Sequence, residues 1–73
     1  MMHVLREQRE YAVLEAAQQE HEAWTELERA SRPERADEAL VRAYRDRWRE
    51  AAHRLVEALE GLKALHRESS RRG

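Results

Sequence analysis

Proline occurs once in this chain, at Pro33, and that position decides what the rest can fold into. Proline has no amide hydrogen, and its ring would collide with the carbonyl four residues back, here that of Arg29. It also drives the preceding residue, Arg32, away from helical backbone angles. On both sides of it the sequence is helix-forming over long stretches. Ser31-Arg32-Pro33-Glu34 fits a capping box, with Ser31 as N-cap and Glu34 reaching back to it. Pro33 then sits in the first turn of a new helix, where a missing donor costs nothing. The expectation is one helix over about 2–30, a break at 31–33, and a second helix over about 32–67. A single long helix kinked at Pro33 is the alternative. A connection this short joins antiparallel neighbours.

The first helical stretch contains neither Gly nor Pro, and Ala, Glu, Gln, Arg and Leu dominate it. Its apolar face collects Val13, Ala16, Ala17, Ala23, Trp24 and Leu27, interrupted by Arg9 and Glu20. The second stretch is the more apolar one. Leu40, Tyr44, Trp48, Ala51, Leu55, Leu59, Leu62 and Leu65 follow the three-and-four spacing of a packed helix. Val41, Ala52 and Val56 widen that stripe to nearly half the circumference, more than one partner helix can cover. Gly61 lies inside the pattern, which resumes at Leu62, so the helix is expected to run through it. Residues 1–68 thus read as one helical hairpin, and residues 69–73 as a flexible basic tail.

An antiparallel hairpin about 31–33 sets a register. It places Glu20 near Tyr44–Arg47, Ala16 near Trp48, Val13 near Ala51 and Ala52, and Leu5 near Leu59. Small residues of the first helix then face aromatics and leucines of the second, the complementarity that close packing needs. A chain of 73 residues with no cysteine has neither disulfides nor thiolate metal sites to supplement a small core. The fold expected is therefore an all-α, two-helix antiparallel hairpin that pairs with a second copy as a four-helix bundle. Its interface is expected to use Trp24, Leu27, Leu40, Tyr44, Trp48, Leu55, Leu59 and Leu62. Net charge is −1, which gives no steering toward nucleic acid or an anionic membrane. No apolar run approaches membrane-span length and no signal peptide is evident, so the expected location is cytoplasmic.

Glu20 stands out because an ionised, unpaired carboxylate on an apolar face costs several kcal/mol. It is expected to pair with the Tyr44 hydroxyl, the Trp48 indole N–H or Arg47 and so to set the register. The other reading is chemical. Glu50-Ala51-Ala52-His53 is a Glu-x-x-His, which on a helix turns both side chains to one side, as in di-iron carboxylate bundles. Over Glu20, Glu50 and His53 the chain resembles the helical hairpins of encapsulated ferritin-like proteins, which dimerise around iron. That resemblance implies iron or another divalent metal held by these three residues. His53 falls nearly opposite the Leu55–Leu59–Leu62 stripe, so the three converge only if a second subunit contributes.

Arg42, Arg45, Arg47, Arg49 and Arg54 form the basic set that could meet phosphate. Asp46, Glu50 and Glu57 interleave with them, the pattern of a mixed-charge solvated face. There is no Gly-rich phosphate loop, no nucleophile with a placed base and no cofactor fingerprint. The reading is a small non-catalytic structural or protein-interaction module, acting through assembly with itself or by docking on a protein partner. The alternatives are a metal-binding ferritin-like hairpin and a small nucleic-acid-binding or regulatory protein.

Overall fold

The computed structural model describes residues 2–35 and 37–71. Helix α1 spans Met2–Ala30 and helix α2 spans Glu38–Arg71, with a single 3₁₀ turn, Pro33–Arg35, between them. The two helices pack side by side as a hairpin. α1 ends where Pro33 predicts. Both the amide and the hydroxyl of Ser31 donate to the Leu27 carbonyl, at 3.0 and 2.8 Å, and close the last turn. Among the described residues no backbone has a positive φ, so the helix stops without a left-handed glycine cap.

The start of α2 corrects the capping-box reading. Ser31 is not the N-cap, because its hydroxyl is committed backwards to α1. Asp37 takes that role: its carboxylate accepts from the amides of Ala39 at 3.0 Å and Leu40 at 3.4 Å, and its carbonyl from Val41 at 2.9 Å. The helix therefore begins at Glu38 rather than Arg32. Glu38 in the first turn adds a favourable charge at the positive end of the helix dipole. Asp37→Ala is expected to cost about 1 kcal/mol, the usual value of an N-cap. Ser31→Ala should cost less, because the Ser31 amide still bonds Leu27. Urea denaturation of the two variants at equal concentration checks the ranking. At the other end α2 continues to Arg71, through Gly61 and past the expected end at Arg67. Of the expected basic tail, Arg72 and Gly73 lie outside the described residues.

The later start slides α2 by about one to two turns against α1. Trp48, expected near Ala16, instead hydrogen-bonds Glu20 and packs on Trp24. Gly61 lies against the Arg9 side chain, with a built Cβ only 3.1 Å from its guanidinium. The missing side chain at Gly61 thus makes room for one of the two charged residues that interrupt the α1 stripe.

The seam between the helices is narrow and lined with small residues. Ala16, Ala23, Leu27 and Ala30 of α1 and Ala51 of α2 are the buried residues, and among the described residues no side chain is fully enclosed. Larger side chains flank the seam half-covered: Tyr44, Trp48, Leu55, Leu62 and Leu65. The result is a rod of 56 × 16 × 13 Å with a radius of gyration of 16.7 Å. A compact chain of this length would have about 11 Å. No helix is long and apolar enough to cross a membrane, among the described residues.

Candidate functional site: an apolar face centred on two tryptophans

At 3.6 residues per turn, the residues flanking the seam of α1 fall on two sides. Val13, Ala17, Glu20 and Trp24 lie on one side, Gln19, Glu22 and Glu26 on the other. Trp48 fixes which side of α2 meets the first set. Its indole N–H donates to Glu20 Oε1 at 2.8 Å. Its ring lies 5.5 Å from that of Trp24, inclined by 57°, a tilted geometry favoured by aromatic quadrupoles. Ala52, Leu55, Val56 and Leu59 continue this side along α2. The hairpin thus presents one broad apolar face, on which Trp24 is 45% exposed, Val56 53% and Leu59 39%.

The other face is charged. A shallow groove there is lined by Glu22, Glu26, Arg47, Glu50 and Arg54, with Ala23 and Ala51 beneath. Arg47 pairs with Glu26 at 3.2 Å and lies 5.5 Å from the centre of the Tyr44 ring. Arg54 pairs with Glu50 at 3.8 Å. These pairs are exposed and each contributes a few tenths of a kcal/mol. They also settle the partner of Glu20: of the three candidates it takes Trp48, while Arg47 is drawn to Glu26.

The expected interface residues separate into two groups. Leu27 is consumed by the hairpin itself. Tyr44, Trp48, Leu55 and Leu62 are half-buried, and Trp24, Leu40 and Leu59 remain exposed. A feature absent from the expected stripe is a second set of exposed apolar residues, Val4, Tyr11 and Leu14, on the side of α1 turned away from α2. Their heptad-like spacing is visible in the sequence, but a reading that seeks one stripe per helix passes over it.

Glu20, Glu50 and His53 are not gathered within one chain. Glu20 bonds Trp48 on the apolar face, Glu50 lines the charged groove, and His53 pairs with Glu57 at 2.9 Å on the exposed surface. Among the described residues no three His, Asp or Glu side chains converge on a point that could hold a metal ion. The five arginines likewise divide: Arg47 and Arg54 line the groove in ion pairs, while Arg42, Arg45 and Arg49 lie toward the other side of α2. The five are thus split between two sides of α2, with Arg42, Arg45 and Arg49, spaced i, i+3 and i+7, together on one of them.

No protein-family model matches the chain, and neither a curated protein nor a solved structure shows significant similarity to it.

Proposed function

We propose that this chain is a small, non-catalytic assembly module, and that its apolar face pairs with the same face of a second copy as a four-helix bundle. The observation that carries this reading is the amount of surface left uncovered. A compact monomer of 8.7 kDa exposes about 4,700 Å². The hairpin exposes 6288 Å². The excess, roughly 1,500 Å², exceeds the roughly 800 Å² that each partner contributes to a standard protein interface.

The arrangement of residues supports the same reading. The seam is too thin to enclose the large side chains, so Trp24, Val56 and Leu59 are only partly covered within the chain. A second hairpin laid on this face would cover them and dry the Glu20–Trp48 hydrogen bond, which strengthens it electrostatically. That bond supplies polar specificity inside an otherwise apolar face, as a single buried polar residue does in coiled coils.

If folding and assembly are coupled, the thermal midpoint depends on protein concentration. It is expected to rise steadily over a roughly hundredfold range of concentration. A midpoint that stays constant over that range would overturn the proposal.

A further inference from the structure

The two helices carry opposite charge. α1 has seven glutamates against three arginines, whereas α2 has eight basic residues against six acidic ones. The imbalance extends to the rim of the apolar face. On α1, Glu28 lies one turn from Trp24, and Glu10 one heptad from Ala17. On α2, Arg49 and Lys63 lie one heptad either side of Val56, and Arg45 one heptad from Ala52. Among the described residues Arg45, Arg49 and Lys63 make no ion pair within the chain. Glu10 is held by Arg6 only at 3.9 Å.

Resting on the assembly just proposed, we infer that the two copies meet with their inter-helix connections at the same end, α1 of each lying on α2 of the other. Two hairpins can meet face to face about a two-fold axis in two ways. With the axis along the helices, both connections lie at one end and α1 crosses to α2 of the second copy. With the axis across the helices, the connections lie at opposite ends, α1 faces α1 and α2 faces α2.

The register within the hairpin decides between them. The Arg47–Glu26 ion pair and the Trp48–Trp24 ring contact fix the relative level of the two helices. In the same-end arrangement, Glu28 therefore comes level with Arg45 of the second copy, and Glu10 with Lys63. In the opposite-end arrangement, with the apolar faces centred on each other, the Arg45 end of α2 meets the Lys63 end of its copy. The glutamate-rich helices then also lie together. Rim charges of this kind set partner orientation more than raw affinity, because the wrong arrangement juxtaposes like charges.

The absence of cysteine makes the test direct. Arg32→Cys puts a single spin label in the exposed connection between the helices. Dipolar spectroscopy on the full chain then reads the distance between the two copies. The same-end arrangement is expected to give about 20–30 Å, the span of neighbouring helices plus label arms. A distance approaching the 56 Å length of the rod, in a sample of dimeric mass, would overturn the arrangement and leave the assembly standing. A monomeric mass for the labelled and the unlabelled chain would overturn both. The charge exchange Glu28→Lys with Arg45→Glu is expected to restore the dimer that Arg45→Glu alone weakens. Failure to restore it would count against the pairing.

Discussion

Replacing Trp48 with alanine is expected to cost about 3 kcal/mol, the low end for a large aromatic because the side chain is half-buried in the single chain. Three losses combine. The packing against Trp24 at 5.5 Å disappears, the apolar cover over the seam is removed, and the Glu20 carboxylate loses its indole donor. A chain of this length is stabilised by only about 4–11 kcal/mol at typical per-residue values, so the loss is a large fraction of the total. The neighbouring substitutions separate the terms. Trp48→Phe keeps most of the area but leaves Glu20 unpaired, and should cost about 1–2 kcal/mol. Glu20→Leu removes the carboxylate as well as the bond, and is expected to be neutral or stabilising. Urea denaturation at one fixed protein concentration gives all three values. A loss below about 1 kcal/mol for Trp48→Ala would mean that the tryptophan pair does not hold the hairpin together.

The second large effect concerns the face rather than the seam. Val56 and Leu59 are 53% and 39% exposed, so neither belongs to the buried seam of the single chain. Val56→Glu together with Leu59→Glu should therefore weaken the hairpin itself less than it weakens a dimer, and helicity by circular dichroism shows that the variant still folds. In a dimer the same pair would bury unpaired carboxylates within an apolar contact, two from each copy, at a cost of several kcal/mol. The double variant is expected to be monomeric at concentrations where the parent is dimeric, and to lose the concentration dependence of its thermal midpoint. Arg47→Glu together with Glu26→Arg, on the charged face, serves as the control and should leave assembly unchanged. A double variant that assembles as the parent does would remove the face from the account.

Much of this architecture is legible before any coordinates. Two helices and one break follow from a single proline between long stretches of helix formers, and α1 ends at Ala30 as that reasoning places it. Glu20 is also legible, since a carboxylate amid Ala16, Ala17, Ala23 and Trp24 must find a donor. The choice among Tyr44, Trp48 and Arg47 is not, because it depends on register. Register in turn hangs on which residue caps α2. Ser31 with Glu34 and Asp37 with Glu38 both offer acceptable starts. What decides is that the Ser31 hydroxyl is already used by the Leu27 carbonyl, a competition between two helix ends that a search for one cap does not weigh. One misplaced cap moves the cross-helix pairs by about one to two turns. The thinness of the core was hidden for a related reason. Trp24 and Trp48 share an apolar stripe with alanines, but the alanines take the seam and the tryptophans its edge.

The central claim is that the hairpin is half of a structure completed by its own copy. Sedimentation equilibrium of the unmodified chain at micromolar concentration tests it most directly. The expected mass is twice the 8.7 kDa of one chain, falling to that of one chain in the Val56→Glu, Leu59→Glu variant. A parent that sediments at 8.7 kDa throughout, folded and helical, would contradict it.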